Sequence, residues 1–421
     1  MKLKAPRGTY DILPPDSDKW QHIEKIMQEA ATIFGYQEIR TPIFEHTELF
    51  ERGVGDTTDI VAKEMYTFSD KSERSLTLRP EATATCARSF IEHSIYGSAL
   101  PVKWYYLGPM FRYDRPQTGR YRQFMQFGVE AFGSNSPYLD AEVIILLVEI
   151  ITRLGLKEYE LHLNSVGCTE CRKVYREKLI EHIRPVAKQL CTDCQDRYTR
   201  NPLRVLDCKV ESCHTAIKDH PLLADSLCES CKIHYETVKL VLEQNNIQYL
   251  HDDNLVRGLD YYTNTAFEIH IPGIGAQSAV GGGGRYNGLV QACGGPDVPG
   301  VGFALGIERL LLATEKLSLP IESSSVDVFV MAMDESLEAT AMQFLGKIRN
   351  ENIRADKDYN NRSARAQMKF ADRLGAKIVV VIGEDEVKNN YYTVRDMATS
   401  NQQAVSDQDI VEYIKNTLSD N

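Results

Sequence analysis

A chain of 421 residues is longer than one hydrophobic core usually organises and implies two or three domains. Hydrophobic residues make up 43% and charged residues 25%, proportions that fit a globular protein and exclude a fibrous or low-complexity one. The formal net charge of -11 argues against a nucleic-acid partner held by bulk positive charge, but it leaves room for one gripped by a few basic loops.

Between Ser17 and Gly35, Trp20, Ile23, Met27, Ala30 and Phe34 recur at three-to-four spacing, which predicts an amphipathic helix over 17–34. Residues 36–45 read as a strand in which Pro42 marks an edge or a bulge. Residues 75–78 are short and extended, and Pro80 suits the first turn of the helix that follows. Two strands, 101–113 and 123–132, flank the basic loop 114–122, and an apolar helix over 139–154 and a strand over 159–164 come next.

At Gly167 the composition turns helical, charged and cysteine-rich, which predicts an inserted domain over 167–250. Eight of the ten cysteines lie between Cys168 and Cys231. Extended segments resume over 255–271, and a helix over 307–316 follows the glycine run 281–284. The serine-rich stretch 318–325 reads as a linker. Beyond it, strands over 326–333, 354–358 and 376–382 alternate with helices over 335–350, 363–374 and 407–418, the rhythm of a small α/β domain with a largely parallel sheet. The expected division is 1–166 with 251–320, then 167–250, then 326–421. No apolar run reaches the roughly 20 residues of a membrane span, and Met1–Gly8 has basic residues without an apolar stretch behind them. A cytoplasmic location with no membrane partner is expected.

No GxxxxGK[ST] loop is present, so nucleotide handling needs another device. Gly281–Gly284 is either a flexible turn or a place where backbone approaches a ligand closely. Arg112, Arg257 and Arg309 stand near glycines at strand or helix ends. A single such arginine usually forms a surface ion pair. Three of them suit phosphate, because the planar guanidinium fork matches its oxygens and cannot be titrated away.

These segments resemble class II aminoacyl-tRNA synthetases, and within them the histidyl family. Thr41–Glu45 looks like motif 1, the element of the dimer interface. Leu78–Glu81 through Phe111–Arg112, the basic loop and Phe124–Phe127 look like motif 2, and Gly300–Leu310 looks like motif 3. Leu255–Tyr262 and Ala279–Tyr286 are similar to two signatures peculiar to the histidyl family. The resemblance covers the whole chain and implies an α+β catalytic domain whose antiparallel sheet is flanked by helices. It also implies a helical Cys-rich insert and a C-terminal α/β anticodon-binding domain.

The activity so implied is activation of histidine by ATP to histidyl-adenylate and pyrophosphate, then transfer to the 3′ end of tRNA(His), by a homodimer with Mg²⁺ on the β- and γ-phosphates. Glu81 and Thr83 would hold the histidine α-amino group, with Glu81 also beside ATP, and Gln126 would position the amino acid. Glu130 and Tyr261 or Tyr262 would read the imidazole nitrogens. Arg112 would contact the α-phosphate, Arg257 would sit beside it and the bound histidine, and Arg309 would stack on adenine or reach the γ-phosphate. In the basic loop, Arg115, Gln117 and Arg120 are the candidates for the tRNA acceptor end. The rival reading is a non-catalytic regulatory or sensing relative, which the three arginines and the C-terminal domain disfavour.

Two converging CxxC pairs hold one Zn²⁺ tetrahedrally. Cys191, Cys194, Cys228 and Cys231 are a possible quartet, but many members of the family have this insert without the cysteines, and reduced free thiols are the favoured reading.

Overall fold

The computed structural model describes residues 3–55, 58–206, 208, 210–256, 259, 261–275, 278–319 and 326–419. The chain forms two compact units, Met1–Ile321 and Glu322–Asn421.

The first unit is built on an eight-stranded sheet. Its spatial order is Gln37–Glu38, Val102–Phe111, Gln123–Phe132, Gly300–Gly306, Ala279–Arg285, Thr263–His270, Glu160–Ser165, Leu250–His251. The outermost pair at each edge is parallel and every pairing between them is antiparallel. Helices Asp16–Ile33, Pro137–Arg153, Glu229–Gln244 and Ile307–Lys316 cover one face. The predicted heptad-like spacing accounts for the first of them, since Trp20, Ile23, Met27 and Ala30 are buried on one stripe. Side chains alternate along a strand, so Phe127, Val129 and Ala131 enter this core while Gln126 and Glu130 project from the opposite face.

Four local expectations change. Pro42 cannot donate a ladder hydrogen bond, and the expected strand over 36–45 breaks into Gln37–Glu38 and Phe44–His46. The second piece joins a separate three-stranded sheet with Ser75–Leu78 and Tyr66–Ser69. Pro80 does not open a helix: the helix runs Thr83–Glu92, because the Glu81 carboxylate accepts the Thr83 and Ala84 N–H groups at 2.7 and 2.9 Å. Among the described residues of the stretch 255–271, only Thr263–His270 is strand. The glycine run is no turn either. It lies in mid-sheet, paired on both sides, where a Cβ at Gly283 would collide with the Gly302 carbonyl and Phe303.

The cysteine-rich insert has its own small core, running from Tyr175 to Leu223. Helix Glu229–Gln244, expected to belong to it, instead packs Tyr235, Val238 and Leu242 into the main core.

The second unit is a five-stranded sheet in the order Ala355–Lys357, Val328–Ala332, Ile378–Ile382, Tyr391–Asp396, Gln402–Ser406, with helices Glu338–Asn350, Ala364–Arg373 and Ile410–Ser419. The first three strands are parallel, as the alternating rhythm predicts, and the last two are antiparallel. That final hairpin escapes sequence reading because it buries little more than Val394 and Val405. Among the described residues, no helix is long and apolar enough to cross a membrane.

Candidate active site

The open face of the large sheet floors a cavity of about 670 Å³. Glu81, Thr83, Gln126, Glu130, Tyr261 and Tyr262 line it, and so do Arg112, Arg120 and Arg309. Residues scattered over more than two hundred positions thus meet in one place. Arg257 lies outside the described residues.

One end of the cavity is a network of buried acceptors. Thr83 Oγ1 donates to Glu130 Oε1 at 2.6 Å, and the Tyr286 hydroxyl donates to Glu130 Oε2. Burial pushes the Glu130 carboxyl up to about 8, against the pull of those two donors. Burial also raises Glu81, opposed by the two backbone N–H groups it accepts. Gly302 sits opposite Glu130 in the ladder, and a Cβ there would collide with the Glu130 carboxylate, so glycine is what admits the acid to the floor. The Gln126 amide oxygen is buried without a hydrogen-bond partner, an acceptor awaiting a donor. The Tyr261 ring lies 4.7 Å from that of Tyr262 and 5.7 Å from that of Tyr286.

The other end carries positive charge. Arg112 donates from Nε to the Pro80 carbonyl at 2.9 Å and rests over the Phe124 ring, with its guanidinium carbon 5.4 Å from the centroid. Arg309 donates to the carbonyls of Gly119 and Ala279. Burial weakens the hold of both guanidinium groups on their protons, and Arg120 and Arg112 next weaken Arg309 by repulsion. Three cations therefore share a confined space, an arrangement that favours a polyanion.

The basic loop divides. Arg120 reaches the cavity and pairs with Asp114 at 3.1 Å. Arg115 and Gln117 stand exposed, on a tight turn in which the backbones of Gln117 and Arg120 bond to each other.

Two features were missed in the sequence. Tyr286 completes the Glu130 network, and its signal was its place directly after Gly284–Arg285. The insert also supplies a wall: Arg197 and Arg204 both donate to Asp59 Oδ2, at 2.8 and 3.0 Å, and all three line the cavity. Nothing in the spacing foretold that long-range contact.

The expected zinc quartet is corrected. Cys191 and Cys194 converge with Cys208 and Cys213, whereas Cys228 and Cys231 converge with Cys168 and Cys171. The cause is topological. Cys228 begins the helix that re-enters the main core, so it returns to the point where the insert departs, while Cys191 lies within the insert.

Comparison with known proteins gives the family. The pattern of the family described as histidyl-tRNA synthetase matches residues 8–310, and that of an anticodon binding domain matches 327–417. The histidine–tRNA ligase of Syntrophomonas wolfei is 63% identical over 419 residues, covering 99% of each chain. That of Desulforamulus reducens is 53% identical, also over 99% of each. The apo histidyl-tRNA synthetase structure from S. aureus superposes with a TM-score of 0.84 at 45% identity, covering 98% of this chain and all of the other.

Proposed function

Since this chain belongs to the histidyl-tRNA synthetase family, we propose that its 670 Å³ cavity is where histidine and ATP react. The activity is histidine–tRNA ligation: ATP activates histidine to histidyl-adenylate with release of pyrophosphate, and histidine then passes to the 3′ end of its tRNA. A merely regulatory role finds no support beside relatives that share at least half their residues over nearly the whole chain.

The observation that carries the placement is the polarity of the cavity, with buried acceptors at one end and three crowded arginines at the other. The acceptors fit the donor-rich amino acid. Glu81, Thr83 and the orphan oxygen of Gln126 receive the α-amino group, and Glu130 with Tyr261 reads the imidazole. A site built to pair with the ring nitrogens discriminates against side chains that lack them.

At the cationic end Arg112 meets the α-phosphate and Arg309 the distal phosphates or adenine, with Arg257 assigned beside the α-phosphate and the histidine carboxylate. That carboxylate attacks the α-phosphorus and pyrophosphate leaves. Two anions must approach, so fixed guanidinium groups supply alignment and charge neutralisation and no protein nucleophile is needed. Mg²⁺, when bound, would supply further charge neutralisation on the nucleotide. Glu64 and Glu268 on the cavity wall would be the hard oxygen donors to hold it. Arg120 at the cavity, and Arg115 and Gln117 at the exposed tip, receive the tRNA acceptor end.

Histidine-dependent ATP–pyrophosphate exchange without tRNA is the test. Exchange that prefers another amino acid, or none from folded protein, would refute the placement.

The protein works as a cytoplasmic homodimer. Ile43, Phe44 and Phe68 are 44, 49 and 45% exposed on and beside the small sheet, an apolar face that a second copy would cover. Light scattering of the Phe44→Asp variant should show monomer where the parent is dimeric.

A further inference from the structure

The insert is small for a self-sustaining fold. Beyond its first helix, Thr169–Ile183, the helices Thr192–Arg200, Leu203–Leu206 and Glu211–Ala216 span only nine, four and six residues. Three of the eleven fully packed residues of its core, Cys194, Cys208 and Cys213, are cysteines. Modules with so little apolar burial are usually held by crosslinks or metal.

The cysteines are placed with a common design. Cys168, Cys191 and Cys228 each occupy the residue before a helix in extended conformation, and Cys171, Cys194 and Cys231 follow in the first turn of those helices. Each CxxC therefore folds its two sulfurs together at a helix start, where the local field favours a thiolate.

Within each quartet all four sulfurs lie within 4.8 Å of one another. Individual Sγ separations are 3.5 Å for Cys168 and Cys171, and 3.9 Å both for Cys171 and Cys231 and for Cys191 and Cys208. A disulfide needs about 2.05 Å, so these sulfurs are not bonded to each other. Four sulfurs about 2.3 Å from one ion, at tetrahedral angles, stand about 3.8 Å apart. The backbone supplies N–H groups that offset thiolate charge: Cys228 N–H donates to Cys171 Sγ at 3.1 Å, Cys191 N–H to Cys213 Sγ at 3.2 Å and Val210 N–H to Cys208 Sγ at 3.4 Å.

We propose that the chain carries two structural Zn²⁺ ions in all-thiolate sites, one on Cys168, Cys171, Cys228 and Cys231 and the other on Cys191, Cys194, Cys208 and Cys213. The first pins the root of the insert beside the catalytic sheet. The second orders the segment that bears Arg197 and Arg204, whose shared partner Asp59 stands on the wall of the catalytic cavity. Neither ion touches the reacting atoms.

Zinc content of the full-length protein, produced with zinc and freed of loose metal, decides the matter by elemental analysis. Two zinc ions per chain are expected. Cys194→Ser with Cys213→Ser should leave one, and Cys171→Ser with Cys231→Ser should also leave one. Should either double variant fail to fold, titration of the parent with an organomercurial should release two zinc ions for eight thiols. Less than about 0.2 zinc per chain, with the eight thiols open to alkylation or joined as disulfides, would overturn the proposal. A single zinc abolished by either double variant would overturn the pairing, since it would indicate one mixed site.

Discussion

Two sets of arginines in the catalytic unit hold their charge in opposite ways. Arg285 is fully buried and fully answered: it pairs with Asp140 and donates to the carbonyls of Ser134 and Ser136. Asp140 is secured in turn by His234 at 2.8 Å and Thr265 at 2.6 Å, and His234 with Arg285 holds its carboxyl below the usual range despite burial. Arg112, Arg120 and Arg309 crowd together, and the last of them feels the other two as repulsion. The first group joins strand, helix and insert boundary into one piece. The second is answered only in part, by Asp114 on Arg120 and by more distant carboxylates, and keeps a surplus of positive charge that an anionic ligand relieves. The charge that serves the fold is neutralised by the protein, and the charges proposed to serve the reaction are left partly for the substrate.

The sharpest way to break this contrast is to remove Arg285. Arg285→Ala leaves Asp140 buried without its main counter-charge, and chemical denaturation should show a loss of about 3–5 kcal/mol. Next in size is Arg112→Ala, which should slow histidyl-adenylate formation by about 10²–10³-fold in single-turnover measurements. Its melting temperature should hardly fall, because one member of a repelling group has gone. Equal loss of stability in both variants would erase the distinction.

Glu130→Gln tests the acceptor end through pH. Its folded carboxyl is raised to about 8, above its ordinary value of 4.5. Below pH 4.5 both states are protonated and no penalty applies. As pH rises from there towards 8, the unfolded chain ionises first and the parent loses stability relative to the variant, and above 8 the difference levels off. Denaturation midpoints that stay parallel across this range would show that the carboxyl titrates normally. Smallest is Arg115→Ala at the exposed loop tip. It should leave pyrophosphate exchange unchanged and raise the KM for tRNA only a few-fold, a difference seen by running both assays on one preparation.

Legibility followed the range of the physics. Helices such as Asp16–Ile33 and strands such as Gln123–Phe132 carry their periodicity locally, and they were found nearly to the residue. Glycine was harder. Gly281–Gly284 looks like a turn by composition, and only the close approach of Leu305, Phe303 and the Gly302 carbonyl explains why a central strand must lack side chains. The candidate site residues came mainly from family motifs, whose roles no single residue announces: an arginine or a buried glutamate is common. Tyr286 and the Asp59 contacts of Arg197 and Arg204 depend on long-range packing that leaves no local mark. The cysteine pairing failed for the same reason, because spacing gives the pairs but not which pair meets which.

The neck of the insert has a consequence for how the chain tolerates change in length. The path leaves strand Glu160–Ser165 and returns through Glu229–Gln244 to Leu250, which pairs with His162 on that same strand. Departure and return therefore share one anchorage, and the segment between Cys171 and Cys228 is a closed detour. Closing such a detour costs entropy that grows only with the logarithm of its length. Residues can be added or deleted there, outside the stretch from Cys191 to Cys213 that walls the cavity, without shifting the register of any strand that carries the reaction, so this is the place where the protein can acquire a new surface.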